Sequence, residues 1–297
     1  MFKISGFSAV AGAALLAGTV QGAQAQVAPA DTGLPTGAYQ QWMHPGVPAA
    51  WKQGFVGQGV ALKVIDQFWG VPGSIGDVGS HGQIVSTIAN AIAPAANFTY
   101  FSFNNVFDRV SPEQGVLNVF NVSFGITNTG LMPLHQSIVD ASRNGKAVVV
   151  AAAGNNGNNM TDGGMFGPSL LQMSLIGTKA VIFVGALSRN GDTKPGTLAS
   201  RAPYSNKAGP ESVAARFVMV GVDESRGIPL DGTSAAAPIV SGYAAIIGSK
   251  FKTATPTQIS NQILRTARID TIKDYTRSIH GRGEASLSRA LSPAAIK

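Results

Sequence analysis

Short uninterrupted apolar runs alternate with segments of helical periodicity along this chain, and that alternation constrains the fold more than any other feature. The runs cover residues 60–65, 97–103, 117–122, 147–152, 180–186 and 217–222. They are continuously apolar rather than alternating, so each reads as a strand covered on both faces. Between them, residues 81–93, 133–144, 233–249 and 256–267 read as helices. Thr255 and Pro256 supply a cap and a suitable first residue for the last of these. Strand-helix alternation predicts an α/β fold of three layers, with a mostly parallel central sheet and helices on both faces.

With 297 residues, 44% hydrophobic and 12% charged, the chain can bury one large core, which argues against a disordered or coiled-coil protein. No cysteine is present, so disulfides, thiol catalysis and thiolate metal sites are excluded. The formal charge is +7, but Lys and Arg are dispersed, and nucleic acid is not an expected partner.

Lys3 precedes an apolar, small-residue stretch over 6–20, and Ala23-Gln24-Ala25 follows. This is the layout of a secretory signal peptide over 1–25, and it predicts a secreted or periplasmic protein. The stretch is too short and too rich in Gly and Ala to span about 30 Å of hydrocarbon, so no stable membrane anchor is expected. Residues 26–50 read as an irregular N-terminal arm rich in Pro, Gly and Ala, and residues 51–297 as one domain without repeats or linkers.

In an open parallel sheet, ligands bind beyond the carboxyl ends of the strands. Asp66 closes the run ALKVID, and alone it reads better as a turn residue than as a functional carboxylate. His81 opens SHGQIVSTIANAIA, where Ser80 is a candidate cap and Ile84, Val85, Ile88, Ala89 and Ile92 recur at helical spacing. Of the four histidines, only His81 lies at a strand-to-helix junction beside small residues. Ser234 stands where LDGTSAAAPIV passes from a Gly-Thr turn into an Ala-rich helix, a place supplied with free backbone amides. Asn155 follows the run VVVAAAG and offers a side-chain amide at a strand end. Taken singly, Ser234 reads as well as a helix cap, and Asn155 reads better as a turn residue.

Together they carry more. The order Asp, His, Asn, Ser resembles that of the subtilisin family of serine proteases. KVID resembles the family's Asp motif, SHGQIVSTIA its His motif, FNVSFG its substrate-pocket strand, AAAGNNG its oxyanion segment and GTSAAAP its Ser motif. Weaker similarity runs through VGALSRNG and RAPYSN to GRGEASLSRAL. The resemblance implies a subtilisin-like fold and an endopeptidase acting on proteins or peptides. It implies Ser234 as nucleophile, His81 as general base and acid, Asp66 as orienting carboxylate, and Asn155 with the Ser234 amide as oxyanion donors. It implies Ser123, Phe124 and Gly125 as one wall of the primary substrate pocket and Ala152, Ala153 and Gly154 as the other. Neither wall is charged, so uncharged side chains, apolar or large, are the expected occupants.

Several positions depart from the family pattern. Ile84 and Ile239 replace histidines common in relatives, Gln83 replaces a Thr, and Asp231 stands where Asn is usual. A carboxylate at 231 is expected to raise the His81 pKa. The chain passes from TIANA to IAPAANF where many relatives insert a calcium-binding loop, so no calcium cofactor is expected. The stretch 103–117 is also short, which predicts an altered substrate-gripping strand. The length between Ala25 and Asp66 leaves no room for a folding prosegment. Either the chain folds unaided, or a separate folding helper acts as a partner, or the N-terminal arm takes a reduced role; an inhibitor is the other partner considered. Two rivals stay open: a catalytically silent module for binding or assembly, and a sedolisin-like acid peptidase, which His81 and Asn155 disfavour.

Overall fold

Five of the six apolar runs form strands because their β-branched and small side chains fill both faces of a covered sheet. The run at 97–102 also forms a strand but lies at the sheet edge with only Phe98 buried, so it is not covered on both faces as expected. β1 (Val60–Asp66), β2 (Asn97–Ser102), β3 (Leu117–Val122), β4 (Val148–Ala152), β5 (Val181–Leu187) and β6 (Phe217–Gly221) pair in parallel, in the order β2-β1-β3-β4-β5-β6. The computed structural model describes residues 39–68, 80–126, 130–162, 168–194 and 196–297. The predicted signal peptide and residues 26–38 of the arm lie outside the described residues.

The helices are α1 (Gly46–Trp51), α2 (His81–Ile92), α3 (Pro133–Arg143), α4 (Leu170–Leu175), α5 (Glu211–Ala214), α6 (Thr233–Lys250), α7 (Pro256–Thr266), α8 (Arg277–His280) and α9 (Leu287–Leu291). All four helices read from the sequence are present, with ends within one residue. α7 begins as expected: the Thr255 hydroxyl accepts from the Gln258 amide at 3.3 Å, and Gln258 Oε1 accepts from the Thr255 amide at 2.9 Å. At α2 it is Gln83 that acts, its Oε1 taking the Ser80 amide at 2.7 Å.

Two apolar clusters lie on opposite sides of the sheet. One holds α2, α6 and α7 with Val64, Val150 and Val184; the other holds α3 and α4 with Ile65, Val149 and Phe183. That is the three-layer arrangement expected. α6 is buried almost all round, which explains its lack of a polar face. Its small residues permit close approach: a Cβ on Gly242 would stand 2.4 Å from Ile92, and one on Gly248 2.3 Å from Leu117.

The arm is less irregular than its composition suggests. Over 46–51 it forms α1, and Trp42, Met43, Val47, Ala50 and Trp51 are buried in the core. The Trp51 indole donates to the Ile92 carbonyl at 2.9 Å. A Pro/Gly-rich arm carrying Trp42 and Met43, and followed directly by Trp51, still has enough apolar area to dock.

Between β1 and β3 the direction in which strands are added reverses. That is the topological switch point, where a crevice opens beyond the strand ends. Ile65 pairs with Val122, so Asp66 and Ser123 leave neighbouring strands side by side.

Candidate active site

Asp66 ends β1 and is fully buried. Its Oδ1 accepts the Gln67 amide at 2.7 Å and lies 2.6 Å from His81 Nδ1, at the first residue of α2. Gly82 makes this approach feasible, because a Cβ there would come within 2.7–2.8 Å of the Phe68 ring and the Gln67 carbonyl. Asp66 raises the His81 pKa above 6.5, through its hydrogen bond and, less, its charge, against burial acting the other way. The other three histidines are lowered, chiefly by burial, and each sits against a backbone N–H: His44 with Gly46, His135 with Met132, His280 with Thr276. His81 is thus the one of the four whose pKa is raised, and the one paired with a carboxylate. Asp231 does not contribute as expected. It is exposed, and its charge acts on Tyr204 rather than on His81.

Ser234 is the second residue of α6, so its own backbone N–H belongs to the first turn, where helical amides lack an internal acceptor. Pro238 lies four residues on and has no N–H to give the Ser234 carbonyl. That carbonyl accepts instead from Ser123 Oγ at 3.1 Å, while Ser234 Oγ donates to the Ser123 carbonyl at 3.1 Å. Ser123 Oγ in turn accepts from Asn121 Nδ2 at 3.0 Å, and Asn121 Oδ1 accepts from Ser241 Oγ at 2.9 Å. A buried polar chain therefore ties the end of β3 to the start of α6. Among the described residues, no hydrogen bond joins Ser234 to His81.

Asn155 is oriented from the same turn. Its Oδ1 accepts the Thr233 amide at 2.8 Å and the Thr233 hydroxyl at 2.9 Å, which turns its Nδ2 the other way. The Thr233 hydroxyl also accepts the Gly154 amide at 3.0 Å. Gly232 has φ +79°, and a Cβ on it would meet Asn155 Nδ2 at 2.8 Å, so conformation and space both require Gly. Asn206 braces the loop: its Nδ2 donates to the Ala153 carbonyl, its Oδ1 accepts from the Asn156 amide, both at 2.9 Å.

A cavity of about 260 Å³ opens here. It is lined by Ser123, Phe124 and Gly125 on one side, Ala152, Ala153 and Gly154 on the other, and by Asn155 and Ser234. All six predicted wall residues thus share one cavity with the predicted nucleophile and oxyanion donor; Asp66 and His81 are not part of its lining. Met160, Ser169, Gln172 and Asn206 also line it and were not singled out from sequence. Gln172 is the nearest to having left a signal, as a polar residue inside the apolar run SLLQMSL. Phe124 packs against the Phe103 ring at 5.0 Å, in the short stretch after β2 where no further strand forms.

The subtilase family model matches residues 77–290, a span that contains His81, Asn155 and Ser234 and begins after Asp66. Subtilisin DY of Bacillus licheniformis is 33% identical over 156 residues, covering 52% of this chain and 51% of that protein. The extracellular basic protease of Dichelobacter nodosus is 31% identical over 180 residues, covering 56% of this chain and 27% of that protein. The chain therefore spans about half or less of the length of these curated relatives. Among solved structures, a protease from Pseudoalteromonas arctica superposes with a TM-score of 0.59 at 20% identity, covering 86% of this chain and 96% of its own. Fold and sequence agree with each other, and the chain belongs to the subtilase family, the subtilisin-type serine proteases.

Proposed function

We propose that this chain is an exported serine endopeptidase that cleaves peptide bonds through an acyl-enzyme intermediate. The observation that carries the reading is the 2.6 Å Asp66–His81 hydrogen bond at the carboxyl end of β1; Ser234 and Asn155 line the cavity described above. In this reading Ser234 Oγ attacks the substrate carbonyl, and His81 takes its proton and returns it to the leaving amine. Asp66 holds the imidazole tautomer and stabilises the imidazolium. The Asn155 amide and the Ser234 N–H receive the oxyanion, Asn155 being turned there by Thr233. Water then repeats the attack on the acyl-enzyme and regenerates Ser234.

Export is supported by the signal-like residues 1–25 and by a relative named as extracellular. Among the described residues, no helix is long and apolar enough to cross a membrane. The reading assigns no calcium to the α2–β2 connection. Only residues 93–96 lie between these elements, and Ala93, Ala95 and Ala96 are buried there.

The test is hydrolysis of an unfolded protein substrate by the purified chain, with Ser234→Ala and His81→Ala beside it. Hydrolysis lost in both variants supports the reading. A folded wild-type protein that leaves the substrate intact contradicts it and favours a silent binding module.

A further inference from the structure

α4, a short helix that none of the recognised motifs includes, contributes Gln172 to the cavity lining, with Ser169 just before it. Gln172 on α4 is only 4% exposed and reaches both walls. Its Nε2 donates to the Phe124 carbonyl at 2.8 Å and to the Ala152 carbonyl at 3.3 Å. Its Oε1 accepts from Ser169 Oγ. Ser169 Oγ also accepts the Ile126 amide at 3.0 Å, and the Leu170 amide donates to the Ile126 carbonyl at 2.9 Å. Beyond their last paired residues, β3 and β4 have no ladder bonds to hold their ends at a fixed separation. Gln172 is the side chain that joins them there.

We propose that Gln172 is a specificity-determining positioning residue: it staples the two cavity walls and thereby sets the size selectivity for the side chain before the scissile bond. This inference rests on the protease reading and deepens it. Both Gln172 N–H groups are taken by wall carbonyls and its oxygen is engaged by Ser169, so Gln172 offers a substrate no spare donor. Among the described residues, no charged side chain lines the cavity. Its volume of about 260 Å³ suits one side chain rather than a drug-sized ligand, for which pockets run about 300–1,000 Å³. The occupant class is a large uncharged side chain, held by the fit of two walls at fixed spacing. Without the staple, the walls spread and fit is lost for large side chains first, since small ones never touch both.

The experiment measures kcat and KM on peptides that differ only in the residue before the cleaved bond: Ala, Leu, Met, Phe, Lys and Glu. Wild type, Gln172→Met and Ser169→Ala are compared. Gln172→Met keeps the length and loses both donors, while Ser169→Ala leaves Gln172 in place without its orienting partner. Labelling by a small fluorophosphonate, which does not fill the cavity, is followed in parallel. The expected result is a preference of wild type for Phe, Leu or Met that falls about tenfold relative to Ala in Gln172→Met. A smaller fall is expected in Ser169→Ala. The loss is in KM for the large residues, with labelling rates within about twofold of wild type. Normal labelling with an unchanged profile in both variants overturns the role of Gln172 alone. Absence of labelling in folded wild type overturns the protease reading and the inference with it.

Discussion

Ser123 and Ser234 each give their hydroxyl to the other's backbone carbonyl, at 3.1 Å in both directions, and so fasten the pocket wall to the first turn of α6. Pro238 is what frees the Ser234 carbonyl for this exchange, since the ring nitrogen four residues on cannot bond it.

Removing the Ser123 hydroxyl therefore leaves a carbonyl without its donor. Ser123→Ala is expected to cost about 1–2 kcal/mol of stability and to lower kcat about tenfold as the nucleophile turn loosens. Pro238→Ala restores an N–H to that carbonyl, so the stability cost of Ser123→Ala is expected to shrink in the Pro238→Ala background. Urea unfolding of the four proteins of this cycle measures it; equal costs in both backgrounds contradict the exchange.

The Asp66 hydrogen bond and charge favour the protonated His81, so its pKa stands above 6.5. A general base must be neutral, so activity is expected to appear as pH rises through that raised value and to be absent well below it. Asp66→Asn removes the support for the imidazolium and shifts the acid limb of kcat/KM downward. It also lowers kcat by about 10⁴, the size of the same change in chymotrypsin-like enzymes. A pH–rate profile with an unmoved limb in Asp66→Asn contradicts the pairing.

Asn155→Ala is expected to lower kcat by about 10²–10³ with little change in KM, a magnitude taken from subtilisin. Thr233→Val removes the hydroxyl that bonds both Gly154 N and Asn155 Oδ1, and leaves the Asn155 donor present but poorly aimed. A fall of about tenfold is expected there, again in kcat. Steady-state kinetics on one peptide decide it; a loss confined to KM argues against an oxyanion role.

Away from the cleft, burial pushes the Glu284 carboxyl up from 4.5 to about 7, against the Gly191 amide that its Oε1 accepts at 2.9 Å. Below pH 4.5 both folded and unfolded chains hold this proton. Between about 4.5 and 7 the unfolded chain releases it first, so stability falls as pH rises through that window. Glu284→Gln is expected to abolish this loss and to be more stable than wild type at pH 8, by on the order of 3 kcal/mol. Unfolding at pH 5 and pH 8 measures it, and a parallel pH dependence in both proteins contradicts it.

The strands and long helices were legible because each signal is local: apolar runs, aromatic in β2 and rich in Val elsewhere, for β1 to β6, helical spacing for α2, and the Thr255-Pro256 start for α7. Asp66, His81, Asn155 and Ser234 stood out as candidates because they sit where such segments end, in a recognisable order. Side-chain reach was not. That Asn155 is aimed by Thr233, that Ser234 is fastened to Ser123 and that Gln172 joins two walls are long-range contacts, fixed only once β3, β4 and α6 converge. α1 was missed because six residues of mixed composition carry little periodicity, and its helix depends on burying Trp51 against Ile92. The effect assigned to Asp231 failed because proximity in sequence to Ser234 does not bring an exposed carboxylate to the imidazole.

The central claim is that Ser234 is an activated nucleophile. Intact-mass measurement of residues 26–297 after exposure to a fluorophosphonate, with Ser234→Ala alongside, tests it without any assumption about substrate. The account predicts one adduct on the wild type and none on the variant. A wild-type protein that circular dichroism shows to be folded, yet carries no adduct, contradicts it.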